Sequence, residues 1–212
     1  MKTDELINML ASGDTRPPAM PLRRMVGWLA LSLVGSFALM ALFLGVRSNL
    51  LQVLALPAFW IKFVFTIALA CVGWRLTARL SLPGTRTGTI AALIALPLVA
   101  IWSIAAVSLM TAEPGERSEL FWGSTWRVCP FLIGGLSLPV LYAALCAMRE
   151  LAPTRLRIAG AAAGLSAGAA AAAVYCLHCP ELAAPFVGFW YVLGMLIPTV
   201  VGALLGPRVL RW

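Results

Sequence analysis

Two of the five cysteines and the only histidine fall within six residues, Cys176-Leu177-His178-Cys179-Pro180-Glu181. Thiolate and imidazole are the side chains that exchange disulfides and capture soft metal ions, so this stretch points to thiol redox chemistry or metal binding. Cys129 is the third cysteine that can reach it. It would form a dithiol with Cys176 or with Cys179, or complete a Cys3His set of Cys129, Cys176, His178 and Cys179 that could hold a soft metal ion transiently, with no cofactor required.

The elements that must position these residues are read from hydropathy. The 212 residues are 61% hydrophobic and 11% charged, with a mean hydropathy of +0.93, far too apolar for a soluble domain. Six segments are near the roughly 20 apolar residues that a membrane-crossing helix needs: 25–46, 58–74, 88–110, 128–148, 158–176 and 185–209. The expected fold is all-α, a polytopic bundle of six transmembrane helices over 25–212, preceded by a polar tail over 1–24. That tail carries Asp4, Glu5 and Asp14 and lacks the pattern of a cleavable signal peptide, so it is expected to be retained.

Lysine and arginine bias gives the orientation. With the N-terminus inside, the inner segments hold Lys2, Arg16, Arg23, Arg24, Arg75, Arg79, Arg86, Arg149, Arg155, Arg157, Arg208 and Arg211, twelve of the sixteen basic residues, and the outer loops hold only Arg47, Arg117 and Arg127. This predicts N-in and C-in termini and puts residues 176–181 outside. Cys129, Cys176 and Cys179 then meet an oxidising compartment, whereas Cys71 and Cys146 lie towards the inner face. The tight turn 149–157 makes the fourth and fifth helices antiparallel neighbours. Counting outward, 20 residues separate Arg149 from Cys129 and 19 separate Arg157 from Cys176, so these cysteines reach similar heights. Spacing leaves open whether Cys176 or Cys179 faces Cys129. The net charge of +8 is scattered over loops, which argues against a nucleic-acid surface.

Other features have plainer readings. Gly160, Gly164 and Gly168 form a tandem small-xxx-small stripe, repeated at Gly202 and Gly206; bundle packing explains it better than a dimer seam, although a homo-oligomer is compatible with it. Lys62, four residues into the second span, is expected to snorkel to the outer head groups. Trp60, Trp126, Trp190 and Tyr191 fit an interfacial aromatic belt. Glu113, Glu116 and Glu119 read as a solvated loop. In the tail, Leu6, Ile7 and Leu10 share a helical face beside Asp4 and Glu5; an acidic helix this short needs a partner to order it, and a protein suits it better than the anionic inner leaflet.

Taken together, Thr3-Asp4-Glu5-Leu6-Ile7, Pro57-Ala58-Phe59-Trp60-Ile61-Lys62, Leu177-His178-Cys179-Pro180-Glu181 and Phe189-Trp190-Tyr191-Val192-Leu193-Gly194 resemble the NrsF-type family. This family comprises six-helix anti-sigma factors of the bacterial inner membrane, negative regulators of extracytoplasmic-function sigma factors. The resemblance spans essentially the whole chain. It implies that Cys129 and Cys179 are the sensing cysteines on the periplasmic side, with Cys176 an extra thiol. It also implies that the segment around Asp4, Glu5, Leu6, Ile7 and Leu10 holds the sigma factor at the cytoplasmic face. The expected function is release of that factor when oxidant or a thiophilic metal acts on the cysteines, with no enzymatic activity and no direct nucleic-acid contact. Three readings compete: a membrane thiol oxidoreductase using Cys176 and Cys179, a metal transporter, and a permanent structural clasp between Cys129 and Cys179. The first would want a second cysteine pair, the second needs ligands continuing across the bilayer, and a redox titration separates the third from a labile sensor.

Overall fold

The computed structural model describes Glu5, Ile7, Asn8 and residues 22–82, 88–151 and 153–211. Among these residues the regular structure is entirely helical. Six long elements follow one another: α1 (Leu22–Phe43), α2 (Pro57–Leu80), α3 (Gly88–Thr111), α4 (Cys129–Arg149), α5 (Leu156–Tyr175) and α6 (Ala184–Val209). By length and composition α2 to α6 can each cross a membrane, whereas the qualifying apolar stretch of α1, Leu29–Phe43, is shorter. Among the described residues there are therefore five candidate spans where hydropathy predicts six.

Boundaries agree with the sequence to within a few residues, with one informative exception. Helix α2 continues past Trp74 to Leu80, because Leu76 and Leu80 are buried while Arg75 and Arg79 face outward. An amphipathic continuation of this kind is invisible to a window that stops at the first charge. Helix α4 is interrupted at Ser137, where Gly134, Gly135 and Pro139 cluster. Proline cannot donate to the fourth residue before it, here Gly135, and beside this break the Ser137 hydroxyl donates to Gly134 O at 2.6 Å. Helix α6 opens with a widened turn over Val187–Tyr191, an irregularity that re-aims side chains and recurs at functional positions.

Helix α5 is the centre of the bundle. It packs most closely along α6 and next along α2, with α4 and α1 also against it. Its sequence is nearly all Ala and Gly, so neighbouring backbones can approach. A Cβ on Gly160 would overlap Gly202 O, one on Gly164 would overlap Pro198 O, and one on Gly202 would overlap Gly160 O. The stripe Gly160, Gly164 and Gly168 is thus seated on α6 within one chain.

At one end of the bundle three connections gather: residues 44–56, 112–128 and 176–183. Arg47 N donates to Leu177 O at 3.2 Å and its guanidinium to Pro180 O at 3.1 Å. Ser124 N and Oγ both donate to Glu181 Oε1 at 2.7 Å. Gly123 makes the last contact possible: its φ is +54°, and a Cβ there would lie 2.7 Å from Glu181 Cδ.

Candidate functional site

The end of α5 folds back over itself. His178 N and Cys179 N each donate to Tyr175 O at 3.0 Å, Cys176 N donates to Ala172 O at 3.0 Å, and Leu177 N to Val174 O at 3.1 Å. These tight turns aim both thiols inward. Cys129 enters from the first turn of α4, where Cys129 N donates to Thr125 O at 3.0 Å and Pro130 needs no partner for its nitrogen. Cys129, Cys176 and Cys179 are 0%, 2% and 1% exposed.

The structure places Cys129 and Cys179 in one buried cluster, close enough for the Cys129 thiol to favour the Cys179 thiolate. Cys176 turns aside, its sulfur 4.0 Å from Thr66 Oγ1 of α2. The Tyr175 and Tyr191 rings, 5.9 Å apart, wall the thiols, and the Tyr191 hydroxyl is buried towards the Cys176 and Cys179 sulfurs. His178 is drawn away: its Nδ1 donates to Gly45 O at 2.9 Å. Among the described residues no three His, Cys, Asp or Glu side chains come together as a metal site, so the Cys129, Cys176, His178 and Cys179 set is not assembled here. All five cysteines carry free thiols.

Lys62 overturns its sequence reading. It is 1% exposed, and its ammonium donates inward to Cys179 O at 3.3 Å and Glu181 O at 2.9 Å while lying 4.8 Å from the centre of the Tyr191 ring. It does not snorkel, because the face of α2 that bears it is turned to the bundle. A spacing signal was available: Phe59, Lys62, Thr66, Leu69, Gly73, Leu76 and Leu80 recur every three or four residues and all are buried. The aromatic belt is corrected likewise. Trp60 is exposed, but Tyr191 and Trp190 are buried, and Trp190 Nε1 donates to Phe121 O at 2.9 Å beneath Trp122 and Trp126. These aromatic rings pack on one another at the start of α6, in the same end of the bundle as the thiols.

The electrostatics separate the two loop cysteines. The Cys129 thiol, the Lys62 charge and backbone donation at Glu181 outweigh burial and bring Cys179 down to about 5 from its ordinary 9.0. Burial pushes Cys176 up to about 11, against the pull of Lys62 and Thr66. Of the two, Cys179 is the more readily ionised, and the thiolate is the nucleophile. Between about pH 5 and 11, iodoacetamide is expected to alkylate Cys179 well before Cys176, although the two are equally buried. As pH falls through about 5 the Cys179 rate should collapse. Peptide mass spectrometry of a Cys71→Ser, Cys146→Ser protein, lacking the two exposed thiols, reads this directly.

Of the tail positions assigned to a partner, Glu5 and Ile7 have helical backbone and exposed side chains, and Asp4, Leu6 and Leu10 lie outside the described residues.

Among the described residues the regular structure is all helical, five helices are apolar enough to span a membrane, and two buried thiols from α4 and the end of α5 meet at one end of the bundle, the architecture of a membrane-type helical protein. The chain belongs to the NrsF family, whose model, "Negative regulator of sigma F", matches residues 10–212. It is 52% identical over the full length of both chains to the probable anti-sigma-F factor NrsF of Azospira oryzae, and 36% identical, again over both full lengths, to the anti-sigma-F factor NrsF of Caulobacter vibrioides. No solved structure matches it. The family is described as negative regulators of sigma F.

Proposed function

We propose that this chain is a membrane-embedded anti-sigma factor that holds an extracytoplasmic-function sigma factor on the cytoplasmic side and frees it when an oxidant joins Cys129 to Cys179 on the periplasmic side. The observation that carries this reading is the buried Cys129 and Cys179 pair, one thiol from α4 and the other from the loop that ends α5. The donor set favours thiol oxidation over metal capture, since two thiols meet while His178 is committed to Gly45 O. The basic-residue count supports a bacterial inner-membrane location with both termini inside.

A sensor at one end must alter the other. The helices bearing the two thiols continue to the turn at 149–157, where Arg155 and Arg157 are exposed. A disulfide forms in only one packing of α4 against α5, and an equilibrium moves by such differential stabilisation. Shifting a population from 1:99 to 99:1 needs about 5.5 kcal/mol, within the reach of a covalent bond. The tail, through Asp4, Glu5, Leu6, Ile7 and Leu10, supplies the binding segment in this reading, and Arg75, Arg79, Arg155 and Arg157 add basic surface beside it.

The test is co-purification of the sigma factor with the full-length protein from membranes. Deleting residues 1–20 is expected to lose the factor, and peroxide treatment of the intact protein is expected to lose it too. Retention after the deletion would move the binding surface to the inner loops, and retention after peroxide would remove the thiols from the mechanism.

A further inference from the structure

Among the described residues Lys62 is a buried cation with no carboxylate beside it. Among the described residues its ammonium meets only two backbone carbonyls, Cys179 O and Glu181 O, and the face of Tyr191. Carbonyls and a ring offset part of the cost of taking an ammonium out of water, but that cost is several kcal/mol unless an anion accompanies it. The remaining acidic groups around it are thiols and phenols: Cys129 from α4, Tyr175 and Cys176 from the end of α5, and Tyr191 from α6. Glu181 carries its carboxylate away to Ser124, His178 faces Gly45, and Arg47 faces Pro180. A cavity of about 200 Å3 between α2, α3 and α6 is lined by Lys62 together with Ile101, Ser108, Leu182 and Val187.

We propose that Lys62 is the positioning residue of the thiol pair: its buried ammonium is the counter-ion of the Cys179 sulfur, and formation of the Cys129–Cys179 disulfide leaves it unpaired, which loosens its hold on the 176–183 loop. The proposal rests on the reading of Cys129 and Cys179 as an oxidisable pair. With a hydroperoxide as oxidant, the Cys179 thiolate attacks the outer peroxide oxygen, the O–O bond breaks, and alkoxide leaves. The Cys129 sulfur then attacks the Cys179 sulfenic acid, the S–S bond forms, and the sulfenic oxygen departs with the Cys129 proton as hydroxide plus proton, that is, water. Two electrons pass from sulfur to peroxide, and the one negative charge beside Lys62 leaves with the alkoxide. The ammonium that clasped Cys179 O and Glu181 O is then a buried charge without an anion, and swinging towards the cavity and water relieves it. Glu181 also ties Ser124, so the release reaches the connection between α3 and α4.

The experiment uses the full-length protein in detergent, without a sigma factor, so that its failure is distinct from failure of the regulatory reading. Alkylation of Cys179 is followed against pH in the wild type, Lys62→Met and Lys62→Arg, and hydrogen exchange of residues 177–183 is followed before and after tert-butyl hydroperoxide. Loss of an opposite charge at this range shifts a thiol by about 1–3 pH units, so the midpoint should rise by that much in Lys62→Met and return towards the wild-type value in Lys62→Arg. Exchange at 177–183 should increase on oxidation of the wild type and be already raised, with little further change, in reduced Lys62→Met. An unchanged midpoint in folded Lys62→Met overturns the proposal. If Lys62→Met does not fold, the wild type still decides: exchange at 177–183 that oxidation leaves unaltered overturns it as well.

Discussion

Serine at either Cys129 or Cys179 is expected to reduce oxidant-driven release of the sigma factor to background, while Cys176→Ser retains most of it. The asymmetry comes from where the sulfurs lie. Cys129 and Cys179 share one buried cluster and each perturbs the other's ionisation, and removing either leaves no partner for an S–S bond. Cys176 faces Thr66 and is held as a neutral thiol by burial. Its replacement by serine trades a soft sulfur for a smaller hydroxyl already near a hydroxyl partner, a change of about 1 kcal/mol in stability and little in redox behaviour. The measurement is sigma-dependent reporter transcription after peroxide, with non-reducing gels to follow the disulfide. A Cys179→Ser strain that responds normally would sink the assignment, and a Cys176→Ser strain that fails to respond would redirect it to Cys176.

The second large effect is structural and lies far from the thiols. Gly164→Leu is expected to abolish accumulation of folded protein, and Gly164→Ala to lower the thermal midpoint clearly. Even the single methyl of alanine would overlap Pro198 O and the Thr199 backbone. These are backbone atoms within a helix, so they cannot turn aside as a side-chain tip can; the two helices must separate along their length. Overpacking a well-filled interior costs about 1–3 kcal/mol, and here the penalty grows because the seams at Gly160 and Gly168, on either side, are prised open as well. Gly135→Ala is the control, because a Cβ there meets nothing within 4 Å. Thermal unfolding in detergent, compared across the three variants, measures the difference. Equal midpoints for Gly164→Ala and Gly135→Ala would mean that α5 and α6 are not packed in this way.

Much of the fold was legible because hydropathy and helix length are local. The limits of α3, α4, α5 and α6 follow from where apolar runs begin and end, and the similar heights of Cys129 and Cys176 follow from counting along two helices joined by a short turn. What was not legible depends on helix rotation. Lys62 near a helix start reads equally as a snorkelling side chain or a buried one until the face it occupies is known, and only the three- and four-residue recurrence from Phe59 to Leu80 carries that information. Tyr191 was hidden for the same reason, since the widened turn at Val187–Tyr191 rotates the start of α6 by an amount that no regular helix implies. Which cysteine faces Cys129 depends on how the chain reverses after Tyr175, and that is set by backbone bonds at 176–179.

The close seating of Gly160, Gly164 and Gly202 on opposing backbone also governs which parts can move. Helices that touch carbonyl to Cα have no compressible side chains between them, so α5 and α6 can neither slide nor roll past one another without parting altogether. They form the stationary frame of the molecule. Helix α2 is also held closely, since a Cβ on Gly73 would lie 3.1 Å from the Ser166 backbone of α5, whereas α4 meets α6 mainly through the side chains of Ile133 and Ile197; a displacement that begins at the thiols is therefore expected to travel through α4, and the inner segment a partner can feel is the one attached to it.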